Sequence, residues 1–221
     1  MTIILDALWS LALLAVGYVA VYCYMNELPI RAVKFSDLAL TRNRLCYWLV
    51  GIVSCVAVSY CLVTLYEVDL LTRLKLLSLV LVILPAAAVD LRWQKIPNKF
   101  LVVGFAIRIA FGIVEFALSV TQAWNAWKSA LIGALVIGLF FLLLRLVFQN
   151  SIGMGDVKLF ALMGLFQGLW GVMNAVFFSL VVSFFVAVIL LITKKKGRKD
   201  TISFGPSIYL GTVIGICMAG M

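Results

Sequence analysis

The sequence predicts an all-α polytopic membrane protein of about eight transmembrane helices, with six or seven as the alternatives and the N-terminus outside. Of its 221 residues, 65% are hydrophobic and 12% charged, whereas a soluble domain is about half apolar and about a quarter charged. Mean hydropathy is +1.18. The apolar residues fall in runs of roughly 20, the length that crosses a bilayer, and most bases collect in short stretches between the runs. A formal charge of +9, from 18 Lys and Arg against 9 Asp and Glu, would suggest nucleic acid in a soluble chain. Here membrane topology accounts for it, and no nucleic-acid partner is expected.

The first span is expected at 3–24. It reads as retained rather than as a signal peptide, because Asp6 interrupts it, no base precedes it and no small-residue cleavage site follows. A polar loop with Arg31, Lys34, Arg42 and Arg44 leads to the second span, 45–66. A short connection holding Glu67, Asp69, Arg73 and Lys75 precedes the third, 76–89, which runs into Asp90. Pro85 is expected to bend this span, and the alanines 86–88 to let a neighbouring helix approach. Pro97 cannot continue a helix, and Asn98 suits the N-cap of the fourth span, 100–120. A turn at 122–127 leads to the fifth, 129–147, and a glycine-containing loop follows at 150–155.

The stretch 157–192 is nearly all apolar. As one helix of 36 residues it would be roughly 54 Å long, far more than a bilayer needs. As two helices it must turn near Gln167-Gly168-Leu-Trp-Gly171. A basic loop, 194–200, and a last span, 204–218, complete the chain. The excess of Lys and Arg on the inner side decides between the options. With two helices the inside holds Arg31, Lys34, Arg42 and Arg44; then Arg92, Lys95 and Lys99; then Arg145 and Lys158; and the run from Lys194 to Lys199. Outside are only Arg73, Lys75 and Lys128, with Arg108 inside a span. A single helix moves the last basic loop outside and splits the bases almost evenly. Two helices are therefore expected, and with them Asp90 and Asp156 end on the same, cytoplasmic side.

Those two acids draw attention as chemistry. Asp90 ends an apolar run in Ala86-Ala-Ala-Val-Asp90, and Asp156 opens another in Gly153-Met-Gly-Asp-Val-Lys158. Two carboxylates sharing one proton can hydrolyse a peptide bond, one drawing a proton from water while the other protonates the carbonyl oxygen. Like charges in close range cannot both ionise cheaply, so such a pair titrates as a unit. The chemistry needs no histidine, metal or organic cofactor, and the chain has no histidine. Without Cβ atoms, Gly153 and Gly155 let a substrate strand or another helix come close to Asp156. Taken singly, Asp156 also fits a helix cap, and Asp90 an interfacial acid paired with Arg92 or Lys95. The five cysteines form no CxxC pair and read as small packing residues rather than metal ligands.

These residues carry a resemblance. Asp90-Leu-Arg-Trp-Gln-Lys-Ile-Pro-Asn98 resembles the first-aspartate motif of the type IV prepilin peptidases. Gly153-Met-Gly-Asp-Val-Lys-Leu-Phe-Ala-Leu-Met-Gly164 resembles their GxGD motif and the helix after it. Phe204-Gly-Pro-Ser-Ile-Tyr-Leu-Gly211 is similar to the FGP-type segment near their C-terminus. The resemblance implies an intramembrane aspartic endopeptidase of bacterial or archaeal cytoplasmic membranes. It would remove the short basic leaders of type IV prepilins and pseudopilins at the cytoplasmic face. Asp90 and Asp156 would be the catalytic pair, Gly153 and Gly155 would shape the loop, and Pro97 and Asn98 would support the first motif. Lys158, just after Asp156, reads by its position as a topology residue or as a support that steadies a carboxylate or a lipid phosphate. The whole chain, 1–221, is then one membrane domain, with two spans and a short basic cytoplasmic loop in 1–75 and the GxGD core in 76–221. Larger bacterial members carry a cytoplasmic domain after the first span, often with paired CxxC motifs, and also N-methylate the new terminus. The loop at 25–44 has neither the size nor the cysteines for that, so peptidase without methyltransferase activity is expected.

Two rival functions fit parts of the pattern. A small proton-coupled transporter or channel would use Asp90, Asp156, Glu115 and Arg108 as a relay, with carboxylates near the midplane and internal repeats. The acids instead fall at span ends, and no repeat is evident. A catalytically silent scaffold is the other, although both aspartates are present. Arg108 and Glu115, seven residues apart on one face of the fourth span, read as a structural pair with partners on other helices.

Overall fold

The computed structural model describes residues 2–26, 42–147, 153–193 and 203–219, and among them all regular structure is helical. Seven helices follow in order: α1 (Thr2–Met25), α2 (Arg42–Tyr60), α3 (Leu70–Trp93), α4 (Asn98–Leu118), α5 (Val120–Val147), α6 (Met154–Ile192) and α7 (Gly205–Ala219), with a π-helical turn, Cys61–Leu65, extending α2. Six continuous helices are long and apolar enough to cross a membrane, and Gly205–Met218 is a shorter apolar one. Large apolar side chains such as Val102, Ile113, Leu135, Phe184 and Ile192 point outward. Outward faces of this composition suit hydrocarbon rather than water, and inside lipid a helix satisfies its own backbone. The chain is a multi-pass membrane protein.

The helix α3 is apolar all round, and a helix of that kind belongs inside a bundle. Its apolar stretch is 83% buried, against 17–28% in the other five. It contacts α1, α2, α4, α6 and α7. Pro85 is accommodated within the continuous helix. Ala86 is buried in one cluster with Val21 of α1, and Ala87 is buried in the main core.

The expected break of 157–192 is present. Gly168 sits inside α6 with φ 70° and ψ −173°, a non-helical conformation that divides the helix into α6a (154–167) and α6b (169–192). Two contacts show that the chain folds back there. Thr212 Oγ1 donates to Met163 Sδ at 3.9 Å, while Ser179 Oγ donates to the Ile208 carbonyl at 3.5 Å. In a straight helix, residues 163 and 179 would be about 24 Å apart. Here both reach neighbouring turns of α7. Counted as separate rods, the apolar helices among the described residues are eight.

Three boundaries differ from expectation. The expected turn at 122–127 is helical, and the α4–α5 break lies at Ser119, whose extended backbone (φ −158°, ψ 108°) interrupts the helix. The third helix begins at Leu70 rather than 76. Asp69 caps it by accepting from the Thr72 N–H at 3.1 Å. Arg73 and Lys75 are consequently not loop residues but buried helical ones, each paired with an acid, Asp6 and Glu115 respectively. Lastly, Asn98 is not an N-cap: Pro97 holds that position, and Asn98 is the first helical residue. The loop bases Arg31 and Lys34, the start of the glycine loop at Asn150 and the basic run 194–199 lie outside the described residues.

Candidate active site

At one end of the bundle, the C-terminus of α3, the start of α4, the start of α6a and the start of α7 converge. The helix α3 closes in a left-handed residue, Gln94 (φ 52°, ψ 37°), whose N–H donates to the Asp90 carbonyl at 2.8 Å. The Asp90 side chain is thereby held in the last turn, only 5% exposed. Its Oδ2 accepts the Gly205 backbone N–H at 2.8 Å, across 115 residues of sequence. That N–H is one of the unpaired donors opening α7, and a helix N-terminus favours a carboxylate both by hydrogen bonding and by its dipole.

Gly205 makes this contact sterically feasible. A Cβ there would fall 2.9 Å from both the Cβ and Oδ2 of Asp90. The sequence alone assigned Gly205 no role. The available signal was a Phe-Gly-Pro run opening an apolar helix, since proline marks a helix's first turn, where N–H groups such as that of Gly205 have no intrahelical acceptor.

Asp156 lies in the first turn of α6a and is half-buried. Gly153 is the N-cap, with φ −66° and ψ 140°, and its carbonyl accepts the Asp156 N–H at 3.1 Å. Asp156 is thus not the cap, which frees its carboxylate from that simple assignment. The Asp156 carboxylate takes the Gly153 N–H and lies close enough to Asp90 for the two charges to interact. Gly155 turns its bare Cα to the chain's own α3–α4 connection, where a Cβ would stand 2.8 Å from Ile96 Cβ. The sequence reading allowed a substrate strand or a helix at the glycines; at Gly155 the neighbour is Ile96.

The supporting residues join the two motifs. Lys158 Nζ donates to Asn98 Oδ1 at 3.1 Å, tying α6a to α4. Pro97, the residue before Asn98, is buried. One turn past Asp156, the fully buried Phe160 stacks on Phe141 with centroids 4.3 Å apart and meets Phe204 at 5.8 Å. The residue just before Gly205 is thereby wedged against the helix that carries Asp156. The residues of the two aspartate motifs, Asp90, Pro97, Asn98, Gly153, Gly155, Asp156 and Lys158, lie within this one region.

Arg108 and Glu115 do not join them. Arg108 Nη1 and Lys75 Nζ hold the two Glu115 oxygens at 3.0 and 2.8 Å toward the opposite end of the bundle. They form an ion cluster between helices, as expected of a structural pair, and no relay to the aspartates is visible among the described contacts.

Fold and site thus define a class: a multi-pass α-helical membrane protein that gathers two carboxylates at one end of its bundle. The type IV leader peptidase family matches over residues 76–192, and the chain belongs to that family. It is 23% identical over 148 residues to the prepilin leader peptidase/N-methyltransferase of Bacillus subtilis (strain 168), an alignment covering 67% of this chain and 56% of that protein. The chain therefore spans little more than half the length of that relative. No solved structure matches it.

Proposed function

We propose that the protein is an intramembrane aspartic endopeptidase that removes the short basic leader of type IV prepilins or pseudopilins, with Asp90 and Asp156 as its catalytic pair. The observation that supports this reading is the meeting of the helix ends that carry the two acids, 66 positions apart in the sequence: the Gly205 N–H reaches Asp90, and its neighbour Phe204 packs on Phe160, one turn from Asp156. In the reaction, one carboxylate takes a proton from water and the resulting hydroxide adds to the scissile carbonyl carbon. The other carboxyl protonates the carbonyl oxygen. Collapse of the tetrahedral adduct expels the amine, which leaves with a proton returned by the pair. No metal or organic cofactor enters the scheme.

The cytoplasmic face is the proposed side of cleavage. Arg92, Lys95, Lys99 and Lys158 lie at the aspartate end, whereas Arg73 and Lys75 toward the other end are buried and paired. That asymmetry agrees with positive residues facing inward. The location would be the cytoplasmic membrane of a bacterium or archaeon. N-methylation is not part of the proposal, since the loop at 25–44 is too short for a methyl-donor domain.

The test is leader cleavage of a co-expressed prepilin by wild type, Asp90→Asn and Asp156→Asn at matched membrane levels. Cleavage by wild type alone is expected, with a bell-shaped pH–rate profile for the coupled pair. The released N-terminus should be unmethylated by mass spectrometry. Normal cleavage by either variant would reduce that aspartate to a structural residue.

A further inference from the structure

Where α6a ends, Gly168 breaks the helix, and the last carbonyls of α6a lose the N–H partners that a continuing helix would supply. Leu165 O is the carbonyl whose helical partner would be the Leu169 N–H. That N–H points to Ser129 Oγ at 3.5 Å. Leu165 O instead accepts Arg108 Nε at 2.7 Å. Arg108 is 1% exposed, lies 4.3 Å over the Trp127 ring and is held by Glu115, which Lys75 of α3 holds in turn. A guanidinium at this place both satisfies the carbonyl and opposes the negative end of the α6a dipole.

The chain of contacts Lys75–Glu115–Arg108–Leu165 O links α3 to α6a. These are the two helices that carry Asp90 and Asp156. They are joined at one end by the ion cluster and meet at the other at the carboxylates, about 22 Å along α3 and about 14 Å along α6a. A helix is stiff along its axis, so sliding of α6a at Leu165 reaches Asp156 undiminished.

We propose that Arg108 is a positioning residue for Asp156: by closing the end of α6a and tying it through Glu115 to Lys75, it fixes the axial register of the two aspartate helices. The proposal rests on the peptidase reading for its kinetic consequence, but not for its geometric one.

The test uses the full chain in nanodiscs, as Arg108→Leu, Arg108→Lys and Arg108→Gln. The glutamine variant is shorter and uncharged, so it breaks the tie between Leu165 O and Glu115 while keeping a polar side chain in the site; it carries the test, with the same fall and shift expected, if the leucine variant does not fold. Expected is a fall in prepilin kcat per folded molecule of about 10- to 100-fold for Arg108→Leu, with KM unchanged and partial rescue by lysine; a misplacement on the order of 1 Å is enough for such a loss. In parallel, spin labels at Leu91→Cys and Met154→Cys, on a background with the native cysteines replaced, report the spacing of the two helix ends. A shifted or broadened distance distribution is expected in the leucine variant. Wild-type kcat per folded molecule with an unchanged distance overturns the proposal, as does a loss of folded protein alone. If wild type cuts no prepilin, the peptidase reading fails, and the spin-label distance still decides the positioning role.

Discussion

Replacing Gly205 with alanine tests the site where helix propensity and geometry give opposite signs. Alanine is favoured over glycine within helices by up to about 1 kcal/mol, so propensity alone predicts a protein at least as stable and active. Geometry predicts damage, because the new Cβ would stand 2.9 Å from Asp90 Cβ and Oδ2 and 3.1 Å from Cγ. Ordinary carbon contacts begin near 3.5 Å, so α7 and the α3 end must part by about half an ångström or more. The partner that must yield is a short side chain in the last turn of the most buried helix, with little freedom to swing away. The bond at risk is the 2.8 Å Gly205 N–H to Asp90 Oδ2 contact, and hydrogen bonds to charged groups contribute about 1.5–3 kcal/mol. If the reaction depends on that hold, cleavage should fall by about 10- to 150-fold, at about 1.4 kcal/mol per tenfold. The assay is prepilin cleavage under saturating substrate, with thermal unfolding in detergent as the control for gross damage. Gly205→Ala cutting at the wild-type rate would refute the reasoning, since the anchoring of Asp90 by α7 would then be irrelevant to the chemistry.

Other perturbations follow from the same contacts. Gly155→Ala should lower cleavage by crowding the Ile96 Cβ, and Ile96→Gly in the same chain, which removes that atom, should restore much of it; failure of rescue, scored by leader removal, would deny the contact. Glu115→Ala should destabilise by about 3–5 kcal/mol, because Lys75 and Arg108 would be left as buried cations without their shared acid, a loss readable as a lower Tm. Gly168→Ala should cost about 1–3 kcal/mol in thermal unfolding, since its φ of 70° is strained for any side chain and a Cβ would also meet Ser129 Oγ. Adding Ser129→Gly should recover only the steric part.

The sequence made the break near Gly168 legible through a length argument, because a bilayer has no use for a rod of 36 residues, and the charges then chose the fold-back. The two aspartates were legible because acids are rare in apolar runs and stand out singly. Local chemistry misled where tertiary partners decide. Arg73 and Lys75 look like loop bases until Asp6 and Glu115, distant in sequence, let them enter a buried helix. Asn98 looks like a cap, but its side chain is engaged by Lys158, 60 residues on. The helix break at Ser119 has no glycine or proline to announce it, and the turn was expected instead among polar residues that continue α5. Gly205 shows the same limit from the other side, for its role exists only against Asp90 and nothing in its own neighbourhood names that partner.

The span of sequence between Asp90 and the N–H that anchors it has a bearing on biosynthesis. A ribosome adding about 5–20 residues per second needs on the order of ten seconds to pass from one to the other. Throughout that interval Asp90 sits at the end of a helix already made, while α4, α5 and both halves of α6 are still being threaded into the lipid. The carboxylate that would cut other membrane chains thus gains its α7 anchor only after the intervening helices have been made. On the proposed reading, a nascent or truncated chain ending before α7 lacks that anchor and should not cleave.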